Sequence, residues 1–112
     1  MSARPKLDDT LAALADPLRR RVVDLLSQRP RPAGELAQAV EVSAPAMSRH
    51  LRTLRLSGLV EERHDGLDAR LRVYSLRPEP MSELKKWLEE TEALWSRQML
   101  AFKVHVEKRK SK

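Results

Sequence analysis

The chain has 112 residues, with 22 Lys and Arg against 16 Asp and Glu, a formal charge of +6, and no cysteine. That length suits one domain and is short for two, and a core this small gains from association with a second copy. The missing cysteine excludes disulfides, thiolate metal sites and cysteine nucleophiles, while the positive excess points to a polyanionic partner.

The longest apolar run, Leu11 to Ala15, is far too short for a membrane span or a signal-peptide core. A soluble, cytoplasmic protein with no membrane partner is therefore expected. Leu7, Leu11 and Leu14 recur at i, i+4 and i+7, one stripe of a first helix. Asp16-Pro17 interrupts that helix, because the residue before a proline is pushed out of the α region. The same pair suits a restart, with Asp16 as N-cap and Pro17 at the first helical position. Leu18, Val22, Leu25 and Leu26 make the second stripe, which stops at Arg29-Pro30-Arg31-Pro32. A short third helix is predicted over Ala33 to Val40, with Leu36, Ala37 and Val40 inward.

Glu41 and Val42 form a turn, and Ser43 can cap a fourth helix that begins Ala44-Pro45. Met47, Leu51 and Leu54 give that helix its buried stripe, and Gly58 is placed to end it as the C′ residue. The period then changes. Leu59 to His64 and Arg70 to Leu76 are predicted strands, joined by the loop Asp65 to Ala69 and ended by Pro78 and Pro80. From Met81 to about Lys108 there is neither Gly nor Pro. At ~1.5 Å per residue this helix extends ~40 Å, more than so small a domain needs for its own core. Lys108 to Lys112 reads as a frayed, solvated tail.

This order predicts a mainly α fold with a small β-hairpin wing (α+β): a winged helix-turn-helix with a long C-terminal dimerisation helix. One domain spans residues 1–112, with the helix-turn-helix at about 33–57, the wing at about 59–76 and the last helix at about 81–108. No acidic residue lies between Val42 and Val60, whereas Arg49, Arg52 and Arg55 supply three positive charges. Opposite the buried stripe the fourth helix presents Ser48, Arg49 and Arg52 with His50 nearby, side chains able to donate to phosphates and base edges in a major groove. Arg70 and Arg72 make the second strand basic, which suits a minor groove or flanking phosphates. A solvated arginine face, or a winged helix that docks another protein, would carry the same composition. The ordered combination of tight turn, capped basic helix and basic wing favours DNA.

The runs Leu11 to Arg21 (LAALADPLRRR), Gly34 to Ala37 (GELA), Ser48 to Leu54 (SRHLRTL) and Ser57 to Glu61 (SGLVE) resemble the ArsR/SmtB family of repressors. The resemblance covers roughly Leu7 to Trp95. It implies a homodimeric repressor whose first and last helices form the interface, with a recognition helix in the major groove and a wing on the backbone. By the same resemblance Ser48 and His50 are candidate base or phosphate contacts, with Ser43 and Arg49 on the backbone. The full candidate surface is Ser43, Ala44, Pro45, Ser48, Arg49, His50, Arg52, Arg63, His64, Arg70 and Arg72. Two positions depart from the family pattern. Glu41 stands where a turn glycine is usual, at ~1–2 kcal/mol if it is held left-handed. Ala44 stands where many relatives carry a glutamine able to bond an adenine edge.

On the last helix Met81, Leu84, Leu88, Thr91, Trp95, Gln98 and Phe102 follow a 3-4 spacing, flanked by Trp87 and Leu94. The start of that helix is expected to pack in cis, and Trp95 and Phe102 to reach a partner. The expected interface is Leu7, Leu11, Leu14, Leu84, Trp87, Leu88, Thr91, Leu94, Trp95, Met99 and Phe102. Many relatives of the resembled family sense metal through a Cys-x-Cys pair or Asp/His pairs on the last helix, and neither pattern is present. His50, His64 and His105 are not spaced as ligands on one helix face, so no metal is expected, although a site shared across a dimer by His105 with Glu107, Asp8 or Asp9 is the alternative. No cofactor-binding or catalytic pattern stands out, and no enzyme is expected. The partners expected are operator DNA, in a bacterial or archaeal cytoplasm at the nucleoid, and a second copy. No effector is legible.

Overall fold

A computed structural model describes residues 5–65 and 68–110, with side chains described for residues 6–64 and 72–110. The elements are α1 (Pro5–Leu14), α2 (Pro17–Gln28), β1 (Arg31–Pro32), α3 (Ala33–Ala39), α4 (Ala44–Leu56), β2 (Val60–Asp65), β3 (Asp68–Leu76) and α5 (Pro78–Lys110). They form the mainly helical, winged helix-turn-helix fold anticipated above. The chain divides into two compact units, Met1–Met81 and Ser82–Lys112.

In the first unit, α2, α3 and α4 enclose a core of Val22, Leu26, Leu36, Met47, Leu51 and Leu54, closed by Leu59, Val60 and Tyr74. Chain entry into α2 is set by Asp16, whose carboxylate accepts the amides of Leu18 (2.8 Å) and Arg19 (3.2 Å). The basic run that follows is not a free patch. Arg19 Nε donates to the Ala13 carbonyl at 2.7 Å and Arg20 Nη1 to that of Leu14 at 2.7 Å. Two guanidinium groups thus satisfy carbonyls at the end of α1, where helix geometry leaves them without intrahelical partners.

Helices α3 and α4 end in the same way. Val42 N–H donates to Ala37 O and Glu41 N–H to Gln38 O; Leu59 N–H donates to Leu54 O and Gly58 N–H to Arg55 O. Both are Schellman closures, which require a left-handed C′ residue. Gly58 takes φ +82° without strain, but the tight turn of the helix-turn-helix holds Glu41 at φ +59°.

Four boundaries differ from the sequence expectation. Arg31-Pro32 is a short strand, β1, paired antiparallel with β3, so the sheet order is β1-β3-β2. Its anchor is the buried Arg31, which donates to Leu25 O (3.0 Å), Gln28 Oε1 (2.6 Å) and Glu35 Oε1 (3.0 Å). The hairpin strands run to Asp65 and from Asp68, tightening the expected loop; Gly66 and Leu67 lie outside the described residues. Pro78 and Pro80 do not merely end β3: they open α5, in a first turn where a missing N–H leaves no bond unmade. Lys108–Lys110 continue that helix in place of the expected frayed tail, and residues 111–112 lie outside the described residues.

Candidate nucleic-acid interface

Ser43 Oγ accepts the Ala46 amide at 3.2 Å, which caps α4 and leaves the hydroxyl proton available to an acceptor outside. With Met47, Leu51 and Leu54 buried, helical geometry turns Pro45, Ser48, Arg49 and Arg52 outward, and with Ser43 and Ala44 they form the approach surface of the helix. Among the described residues neither the Arg49 nor the Arg52 guanidinium has an ion-pair partner, so both are available to an anion. The positive end of the α4 dipole lies at the same edge.

His50 does not share that face. It is half-buried on the flank of α4, beside the buried stripe. The Asp16 carboxyl is held below its ordinary range, chiefly by the hydrogen bond from the Arg19 amide and least by the charge of His50. Further along the helix and at its end stand Thr53, Leu56 and Ser57. With Asp9, Ala12, Ala13 and Arg19 they line an open groove of about 270 Å³.

The wing arginines divide between the two faces of the hairpin. Opposed residues of an antiparallel pair share a face, and the register sets Glu62 against Tyr74 and His64 against Arg72, while Glu61 faces Ser75 and Arg63 faces Val73. Arg63 is bound to Glu61 through Nε at 2.9 Å and Nη2 at 2.5 Å. That pairing is the leading reason the Glu61 carboxyl is held below its ordinary range. Arg72 belongs to the other face, where its Nε lies 3.1 Å from Glu62 Oε1; Glu62 Oε2 in turn accepts from Arg55 Nη1 of α4 at 2.8 Å. Of the expected contacts on the hairpin, Arg63 therefore lies on one face and His64 and Arg72 on the other. His64 is exposed on the Arg72 face, and the side chain of Arg70 lies outside the described residues. The sequence reading missed Arg55 as a member of this surface, although its spacing from Ser48 and Arg52 at i+7 and i+3 was there to be read.

On α1, Leu7 is buried within the chain and Leu14 is partly buried against the core, so of that expected interface trio only Leu11 is exposed. In the second unit the helix stands open. Leu84 and Trp87 are half-buried and Thr91 exposed, while Leu88, Leu94, Trp95, Met99 and Phe102 are exposed, Trp95 and Phe102 each at 62%. Trp95, Met99, Phe102 and Val106 repeat at helical spacing along one open groove of the helix. Leu100 and Val104, not singled out from the sequence, are further exposed apolar residues of α5. Among the described residues no three His, Asp or Glu side chains gather as a metal-binding group, and no helix is long and apolar enough to cross a membrane.

A family described as a helix-turn-helix domain matches residues 14–63. The HTH-type transcriptional regulator Rv2034 of Mycobacterium tuberculosis is 36% identical over 102 residues, covering 91% of this chain and 90% of that protein. The transcriptional repressor SdpR of Bacillus subtilis is 27% identical over 82 residues, covering 73% and 88% respectively. A solved ArsR family transcriptional regulator, RHA00566, superimposes with a TM-score of 0.72 at 33% identity, over 81% of this chain and 97% of that one. By these likenesses this chain belongs to the ArsR family of winged helix-turn-helix transcriptional regulators.

Proposed function

We propose that this regulator is a homodimeric repressor that binds double-stranded operator DNA with α4 in the major groove and the hairpin on flanking backbone or in the minor groove. One observation carries the reading: Arg49 and Arg52 project, without ion-pair partners among the described residues, from a helix face that holds no carboxylate. Such guanidinium groups gain most from phosphate oxygens and base edges, which accept the forked donors that no ion pair among the described residues engages. Ser43, Ala44, Pro45 and Ser48 supply a small, polar approach surface around them. Repression is supported by the likeness to the Bacillus relative, a transcriptional repressor. The bacterial relatives, with DNA as partner, support a bacterial or archaeal cytoplasm, at the nucleoid, as the place of action.

Dimerisation is supported by the open apolar stripe of α5 and by exposed Leu11. A lone helix does not keep Trp95, Met99 and Phe102 in water without loss, and self-association removes that area. Two copies related by a two-fold axis place two recognition helices about one DNA turn apart, ~34–36 Å.

The test is a salt series of binding to a DNA duplex. Affinity is expected to fall steeply and linearly on a log-log plot between about 50 and 200 mM salt, because phosphate contacts release counterions. Binding indifferent to salt, or none, would instead favour a protein-docking winged helix.

A further inference from the structure

We propose that Glu62 is a positioning residue that ties the recognition helix to the wing and presents Arg55 and Arg72 together as a clamp for one stretch of DNA backbone. The inference rests on the DNA-binding reading above and adds to it two phosphate-binding groups and the carboxylate that orients them.

The two arginines come from elements distant in sequence. Arg55 is in the last turn of α4, and Arg72 is on β3. They meet on one carboxylate, each taking its own oxygen: Arg55 Nη1 on Oε2 at 2.8 Å and Arg72 Nε on Oε1 at 3.1 Å. The order of exposure shows which group lies in front. The Glu62 side chain is 17% exposed, against 48% for Arg55 and 63% for Arg72. The carboxylate thus sits behind, on the face of the hairpin that buries Tyr74, and the guanidinium groups stand before it. Among the described residues the contacts to Glu62 are made by Arg55 Nη1 and Arg72 Nε, and a guanidinium has five N–H donors, so donors remain for an incoming acceptor. The group as a whole carries one net positive charge.

Such a support does two things. It restricts two long side chains that would otherwise lose their freedom on binding, and it joins α4 to the hairpin so that groove and backbone are engaged in one register. Ser48, Arg52 and Arg55 lie at i, i+4 and i+7 along α4, so the clamp continues the outward stripe of the recognition helix. The pair on the other hairpin face, Arg63 with Glu61, lacks this link to α4. Phosphate is the chemistry recognised, because two forked cations a short distance apart fit successive backbone oxygens and carry no base preference.

The test uses the full chain and a random-sequence duplex of about 30 bp, since the binding proposed is independent of sequence; affinity is read by fluorescence anisotropy over a salt series. Arg55→Ala and Arg72→Ala together are expected to flatten the salt slope by about two, one for each phosphate no longer neutralised. Glu62→Gln keeps the shape and removes the charge. It is expected to weaken binding about threefold to tenfold in the wild-type background, with the circular dichroism spectrum unchanged. In the Arg55→Ala/Arg72→Ala background the same change is expected to have no weakening effect, because nothing is left for Glu62 to position. Three results would overturn the proposal alone while leaving DNA binding intact: an unchanged slope in the double arginine variant, tighter binding by Glu62→Gln in the wild-type background, or equal weakening in both backgrounds. A wild-type protein with no salt-sensitive affinity for the duplex would remove the underlying reading as well.

Discussion

Glu41 shows how a single backbone angle can separate folding from sequence preference. The Schellman closure of α3 demands a left-handed residue, Gly58 meets the same demand at the end of α4, and Glu41 meets it with a Cβ in place. Replacing Glu41 by Gly removes a strain of ~1–2 kcal/mol, partly offset by the freedom glycine gains in the unfolded chain. The expected net result is a gain of up to about 1 kcal/mol, seen as a higher urea midpoint with an unchanged m-value. A lower midpoint would contradict the assignment. Acid sensitivity is set at this scale too. The carboxyls of Asp16, Glu35 and Glu61 titrate lower in the fold than in the unfolded chain, chiefly through the Arg19 amide, Arg29 and Arg63 respectively. Their contribution to stability is therefore present above the unfolded values near pH 4 and is lost as pH falls through that range towards the lowered ones. Asp16→Asn keeps an oxygen to cap α2 but no charge. Its Tm at neutral pH is expected to fall below wild type and the two curves to converge in acid, so the acid limb of Tm against pH becomes shallower; an acid limb as steep as the wild type's would rule Asp16 out. On the DNA side, Arg49→Ala is expected to weaken operator and random duplex alike and to reduce the salt slope by about one. His50→Ala should leave that slope unaltered, because His50 is half-buried on the flank of α4 and not on its outward face; a slope reduced as much as for Arg49→Ala would return His50 to the DNA-facing side.

Among the elements, those with a local chemical signal were legible in the sequence. Asp16-Pro17 and Ser43-Ala44-Pro45 announced two helix starts, Gly58 an end, and the Met47, Leu51, Leu54 stripe a buried face, and each is found in place. β1 was not legible, since two residues, Arg31 and Pro32, following Pro30 have no alternation to detect, and their pairing with β3, like the hold on Arg31 from α2 and α3, is tertiary. The start of α5 was missed because proline ends a strand and opens a helix with the same letter. The outward face of α4 was legible from helical spacing, whereas the division of Arg63 from Arg72 depends on hairpin register, which tertiary pairing sets. For α5 the prediction concerns association. Replacing Trp95 and Phe102 together by Asp puts charge into the stripe, and light scattering is expected to change from a dimer to a monomer, with much weaker DNA binding since each chain then holds one half-site. A wild-type mass close to 12.9 kDa at micromolar concentration would contradict the dimer.

For the whole molecule, a formal charge of +6 is compatible with many partners, and it is the distribution that points to DNA. Arg19, Arg20 and Arg31 are used within the fold and Arg63 is paired on one hairpin face, whereas Arg49 and Arg52 stand on a helix face with no carboxylate; α5 carries further exposed Lys and Arg. In the function proposed for it, the protein binds DNA sequence-specifically as a symmetric dimer. The most direct measurement is selection of bound sequences from a pool of random double-stranded DNA by the full-length protein. The expected product is an inverted repeat whose half-site centres are about 10–10.5 bp, or a multiple of that, apart. A pool that stays random through repeated rounds, or one that converges on a single unrepeated half-site, would contradict it.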